Sequence, residues 1–345
     1  MVIAQPDLEK KLRDAYQLYK GSFRRIKWPS EISVDETKGI IALKMHLTSI
    51  SKNMQDNGNA FEGWILALKE LVYPAHKFTI EFVRPSSPDD PHYQRFLTRL
   101  SVFDSLFGAS SKSPWFELSK TASLALTKDC VYLNPHIKLK CNTGKSSRAR
   151  TATYPYTAVF EKMIESELEY RLCKDGDNRD CLPTALNIDK KVYRQFPVGI
   201  FKNQVSAHAK NLLFPGKKAC IDLVAEGKES NEFWIFELKK YGNNPLGILS
   251  ELLFYSTIVL DIVYGYITPE GAVESDCYDP NRLVGKTVIN ACFLAPKFHP
   301  LLLDEIIVRL NDAFVNLTPK KASYKKCSVI FHKYELCMSS GALKV

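Results

Sequence analysis

The sequence predicts an α/β protein whose C-terminal half holds a mixed central sheet flanked by helices, with a separate α+β domain in front of it. Three observations carry this expectation. Short apolar runs in the second half read as buried strands, segments of helical period separate them, and a basic polar stretch at 138–153 divides the chain. The division gives an N-terminal domain at 1–137, a linker or exposed loop at 138–153 and a second domain at 154–345. One elaborated domain is the alternative, since 345 residues bound the domain count only softly.

In the first half, the apolar spacing from Asp7 to about Tyr19 predicts an amphipathic helix, and Gly39 to Ser49 a strand. A helix at Phe61 to Val72 and a strand at Phe78 to Val83 follow. The Pro, Ser and Asp residues between Arg84 and Pro91 form a turn that can cap a helix starting near His92. That helix sets Phe96, Leu97, Leu100, Phe103 and Phe107 on one stripe, which reads as core.

In the second half, a helix is expected from Tyr156 to Leu172, with Phe160, Met163, Ile164, Leu168 and Leu172 on one face. Strands are expected at Tyr193 to Ile200, Lys218 to Ala225 and Glu232 to Lys239. A nearly all-apolar helix from Leu246 to Tyr264, a strand from Thr287 to Leu294 and a helix from Leu301 to Phe314 complete the series.

Composition narrows the function. The balance of 45% hydrophobic and 25% charged residues belongs to a folded globular chain. The net charge of +9 favours a polyanionic partner, because basic side chains displace counterions from a phosphate backbone. Nine Cys residues without a CxxC pair read as reduced thiols, consistent with a cytoplasmic location. The first residues lack the apolar core of a signal peptide, and the longest apolar run, Leu252 to Leu260, is too short to span a bilayer, so no membrane role is expected. Gly144-Lys145-Ser146 looks like the end of a phosphate-binding loop, but Leu139 stands where that motif needs its first Gly, which excludes a nucleotide triphosphatase.

The chemistry concentrates on two strands. In Phe233-Trp234-Ile235-Phe236-Glu237-Leu238-Lys239, alternation sends Trp234, Phe236 and Leu238 to one face and Glu237 with Lys239 to the other. An acid and a base at the end of so apolar a strand are expensive to bury without partners. The preceding strand embeds Asp222 in Cys220-Ile221-Asp222-Leu223-Val224, fifteen residues before Glu237. Two carboxylates from neighbouring strands suit a hard divalent cation.

The ordered set of a helix with Glu, a strand, a strand with Asp222, a strand with Glu237-Leu238-Lys239 and a helix resembles the PD-(D/E)XK nuclease superfamily, the restriction-endonuclease-like fold. The resemblance covers roughly residues 156–314. It implies that Asp222, Glu237 and the backbone of Leu238 bind Mg2+, with Mn2+ able to substitute, and that Lys239 orients or activates the attacking water. The family's helix Glu falls on Glu161, with Glu165 as the second choice. Ile221 replaces the motif's Pro. Glu251 and Tyr255 resemble the Gln-x-x-x-Tyr signature of the RecB-like branch, with Glu in place of Gln.

The resemblance implies a Mg2+-dependent endonuclease hydrolysing DNA phosphodiester bonds, in prokaryotic antiviral defence or restriction by the base rates of the family. A helicase or ATPase partner and a homodimer are compatible with it. A non-catalytic nucleic-acid-binding subunit, an RNA-directed nuclease and a repair or recombination nuclease remain alternatives. Backbone contacts are expected from Lys140, Lys145, Arg148, Arg150, Lys217, Lys218 and Lys240, each of which reads equally well as a solvated charge.

Overall fold

The computed structural model of the chain describes residues 2–20, 26–143, 159–173, 175–206, 208–216, 219–243, 245–273, 277–315, 317, 326–339 and 342–345. It is a mixed α/β structure in two units.

Unit 1 comprises Met1–Asn134, Pro245–Ser250 and His299–Leu317. Its sheet runs β1 (Val2–Ile3), β2 (Ile32–Thr37), β3 (Ile40–Met45), β4 (Lys77–Phe82) and β5 (Phe116–Leu118), antiparallel from β1 to β3 and parallel from β3 to β5. The sequence reading missed β2, whose charged end, Asp35-Glu36, dilutes the strand pattern. A two-residue turn joins it to β3, with positive φ at both Lys38 (51°) and Gly39 (79°), as a tight hairpin requires. Lys at the first of these positions is a weak turn signal.

The helices here are α1 (Gln5–Lys20), α2 (Leu47–Ile50), α3 (Phe61–Leu71), α4 (Pro91–Phe107) and α5 (Lys120–Lys128). Asp90 caps α4 by accepting the Tyr93 N–H across 2.9 Å, and Pro91 pre-sets its first turn. The stripe Phe96, Leu97, Leu100, Phe103 and Phe107 is buried, as core should be. Inside it lies a satisfied ion pair: Arg99 Nε donates to Glu62 Oε1 across 2.7 Å, and Ser250 Oγ donates to Glu62 Oε2 across 2.7 Å.

Unit 2 comprises Pro135–Asn244, Glu251–Phe298 and Thr318–Val345. Its strands are β6 (Leu139–Asn142), β7 (Ile188–Pro197), β8 (Ile200–Lys202), β9 (Cys220–Gly227), β10 (Glu232–Leu238), β11 (Ile267–Glu270), β12 (Val288–Ala295), β13 (Ser328–Glu335), β14 (Cys337–Ser339) and β15 (Ala342–Lys344). The main sheet has the order β13-β12-β10-β9-β7, parallel across β13, β12 and β10 and antiparallel across β10, β9 and β7. A small sheet, β11-β6-β8, and the hairpin β14-β15 accompany it. The central strands are apolar almost throughout because both faces of the sheet are covered.

The helices of this part are α6 (Glu165–Leu172), α7 (Cys181–Ala185) and α8 (Gly247–Val263), whose first turn belongs to unit 1. One face of the main sheet packs Leu223, Ala225, Trp234, Phe236, Leu238 and Leu294 against Met163, Leu168 and Leu172. The last helix, α9 (Asp304–Val315), belongs to unit 1.

Three expectations need correction. The stretch 138–153 begins with a strand: Leu139 and Cys141 are buried, and β6 pairs with both β8 and β11. Residues 245–250 and 299–317, expected in the second domain, belong to unit 1, where Ile306, Leu310 and Phe314 bury the apolar face of α9. Of the helix expected from Tyr156 to Leu172, residues 156–158 lie outside the described residues, and from Val159 onward the helix begins at Glu165. A 3-10 turn at Phe160–Lys162 precedes it, and Met163 and Ile164 are extended.

No helix among the described residues is long and apolar enough to cross a membrane.

Candidate metal-binding active site

The site forms where β9 and β10 run side by side. Trp234 pairs with Ala225 and Phe236 with Leu223, and the same antiparallel register carried one step further sets Glu237 opposite Asp222. Because strand side chains alternate, Trp234, Phe236 and Leu238 enter the apolar core while Glu237 and Lys239 share the other face. Asp222 is tied across the pair: the Leu238 N–H donates to Asp222 Oδ2 over 2.8 Å. Lys239 extends the line of β10, its N–H donating to Leu294 O across 2.9 Å.

Around these three residues the fold gathers further carboxylates. Lys239 Nζ donates to Glu237 Oε1 across 2.6 Å and lies 3.1 Å from Glu251 Oε2 on α8 and 3.8 Å from Glu165 Oε1 on α6. Glu165 stands in the first turn of α6, where negative charge is favoured by the free N–H groups. One turn later Glu169 accepts from Arg194 Nε at 3.0 Å and from Gln195 Nε2 at 2.8 Å. Glu237, Lys239, Glu251 and Glu169 are all buried, whereas Asp222 keeps part of its surface open.

Five carboxylates thus meet two cations, Lys239 and Arg194. Burial, together with the charges of Asp222 and Glu251, pushes the Glu237 carboxyl well above the usual range, against the pull of Lys239. Asp222 is likewise held well above its usual value by desolvation, with Lys239 opposing and Glu169 and Glu165 adding to the rise. Desolvation lowers the Lys239 ammonium, but Glu237, Glu251, Asp222 and Glu165 outweigh it and keep the group charged, its pKa well above normal. Tyr255, one helical turn after Glu251, is pushed up by burial and by the Glu251 and Glu237 charges.

An excess of buried carboxylate with all-oxygen donors fits a hard divalent cation. Glu237 Oε2 and Glu165 Oε2 are buried and have no hydrogen-bond partner among the described residues, an expensive state that a cation would relieve. Among the described residues, no three His, Cys, Asp or Glu side chains already surround one metal-sized point. The Lys239 ammonium occupies the ground between the acids and draws Glu237 and Glu251 toward itself.

The structure therefore brings Asp222, Glu237, Leu238 and Lys239 together, and it sets Glu161 apart from them. That residue is exposed on the turn before α6, and the carboxylate approaching Lys239 from this segment is Glu165. The break at Met163–Ile164 leaves Glu161 outside the helix that carries Glu165. Of the expected phosphate contacts, Lys140 is half-buried and paired with Glu270 at 3.6 Å, while Lys240 is partly exposed next to Lys239. Lys145, Arg148, Arg150, Lys217 and Lys218 lie outside the described residues. Sequence reasoning missed Glu169, Arg194 and Gln195. Glu169 carries a signal, since it lies four residues after Glu165 and faces the same way once the helix start is known.

Compared with family models, curated proteins and solved structures, the chain has no match.

Proposed function

We propose that unit 2 is a metal-dependent nuclease of the PD-(D/E)XK type that hydrolyses DNA phosphodiester bonds with Mg2+. The observation that carries this reading is the meeting of Asp222 and Glu237 across β9 and β10 with Lys239 hydrogen-bonded to Glu237, amid the buried acids Glu169 and Glu251 and the partly exposed Glu165. The mixed five-stranded sheet, with the acids at one end of its antiparallel pair, supports a restriction-endonuclease-like fold.

In this reading Asp222, Glu237 and Glu165 would hold the cation, with the Leu238 backbone beside them. When bound, Mg2+ would lower the pKa of its water and neutralise charge on the transition state. Lys239 would orient the attacking water and oppose the negative charge that develops on phosphorus-bound oxygen. Lys240, partly exposed next to Lys239, stands ready for the neighbouring phosphate backbone.

A substrate panel tests this function: linear, circular and single-stranded DNA and RNA, each incubated with Mg2+ or Mn2+ and with Lys239→Ala as control. Cleavage of DNA by the parent and none by the variant is the expected result. Preference for RNA would keep the chemistry and change the substrate. Equal cleavage by both chains would remove Lys239 from it.

A further inference from the structure

Strand β7 carries a backbone feature that the chemistry above leaves unexplained. Gln195 has φ of 57°, in the left-handed region, within a run where Arg194 pairs with Leu223 and Phe196 with Ile221 of β9. That register sets Gln195 opposite Asp222. Residues with a Cβ are strained in this conformation and hold it only where their surroundings enforce it, commonly at functional sites.

The side chain shows what enforces it. Gln195 Nε2 donates to Glu169 Oε1 across 2.8 Å, and the Cys220 thiol donates to Gln195 Oε1 across 2.7 Å. Glu169 Oε1 already accepts from Arg194, so the amide nitrogen faces this oxygen and its carbonyl is left to the thiol. Arg194 Nε reaches the same Glu169 oxygen at 3.0 Å, its guanidinium lying over the Tyr170 ring at 5.6 Å.

Consecutive residues of a regular strand point to opposite faces. Arg194 and Gln195 nevertheless grip one oxygen atom, which the left-handed turn at Gln195 makes possible. Gln195 lies opposite Asp222 on β9, and Glu169, which it holds, bears electrostatically on Asp222. A strained backbone that orders an acid beside Asp222 is explained if this face is to meet a divalent cation.

We propose that Gln195 is a positioning residue, whose left-handed backbone sets its amide beside the Arg194 guanidinium so that the pair clamps Glu169 next to Asp222 and orders this acidic face for a divalent cation. The inference rests on the metal-site reading of the preceding section. Gln195 acts through Glu169 and has no contact with substrate in this scheme.

The test is calorimetric titration of Mg2+ and Mn2+ into the full chain and its variants, with thermal melts in chelator alongside. Gln195→Gly removes the amide but adopts the positive φ without strain. It is expected to weaken Mg2+ binding by about 10-fold or more, as loss of a group that orients a ligand does, while the metal-free melting temperature does not fall. Gln195→Met keeps the size and the backbone strain, and is expected to lose at least as much affinity; it carries the test if the glycine chain does not fold. Unchanged Mg2+ affinity with a lowered melting temperature would assign Gln195 to the scaffold and overturn the inference. A parent chain that binds neither cation would overturn the metal reading together with this inference, whereas a parent that binds and variants that bind equally would overturn the inference alone.

Discussion

Lys239 Nζ lies 2.6 Å from Glu237 Oε1 in a pocket where both residues are about 2% exposed. The pair sits at the centre of an acidic shell, so its members respond differently to removal. Lys239→Met leaves buried carboxylates without their central cation, and the metal-free protein should lose about 3–5 kcal/mol of stability, read by denaturant unfolding in chelator. Added Mg2+ should restore part of that loss. A variant as stable as the parent without metal would show that the acids do not depend on Lys239.

Removing an acid should act the other way. Glu251→Gln keeps a carbonyl oxygen for Lys239 and deletes one of the negative charges that press on Glu237. The metal-free chain is expected to gain about 1 kcal/mol, a rise of about 2–4 °C in melting temperature for a domain of this size. Its Mg2+-dependent cleavage should fall. A drop in stability would mean that Glu251 serves the scaffold.

Position 165 should matter where position 161 does not. Glu165→Ala removes the carboxylate 3.8 Å from Lys239 and should weaken Mg2+ binding by about 10-fold or more. Glu161→Ala, at an exposed turn, should change it little. The reverse ranking in a titration would restore Glu161 to the site.

The pH dependence follows from direction alone. Asp222 and Glu237 have their folded pKa values raised well above the ordinary carboxylate range. Between that range, near pH 4, and the raised values, the folded chain holds more protons than the unfolded one. These two groups therefore stabilise the metal-free fold fully below the unfolded pKa, and their contribution is lost as pH rises through the folded values. Lys239, its pKa raised, stays charged throughout that window. Because Mg2+ must displace the bound protons, the rise in melting temperature caused by Mg2+ should be larger at pH 8 than at pH 6. Equal rises would indicate that both acids are already ionised.

Much of the centre was legible in the sequence, and for physical reasons. Asp222 and Glu237 stand out because each interrupts an apolar strand, and alternation alone assigns Glu237 and Lys239 to one face. Long buried elements such as β10, β12 and α8 fall where their apolar runs place them. The choice of Glu161 over Glu165 rests on an apolar period that continues through Phe160, Met163 and Ile164 although the backbone breaks there. Gln195 was invisible, since its left-handed state is imposed by Cys220 and Glu169 through contacts distant in sequence. The return of 245–250 and 299–317 to unit 1 depends likewise on long-range packing, and a linear reading assigns each segment to its neighbours.

Glu237→Ala is the most direct test of the central claim. Mg2+-dependent cleavage of circular DNA by purified parent and variant, at equal concentration and with folding checked by circular dichroism, isolates the chemistry from the fold. The parent is expected to cut and the variant to leave the DNA intact while still binding it. Cleavage by Glu237→Ala at the parental rate would contradict the assignment of this site as the hydrolytic centre.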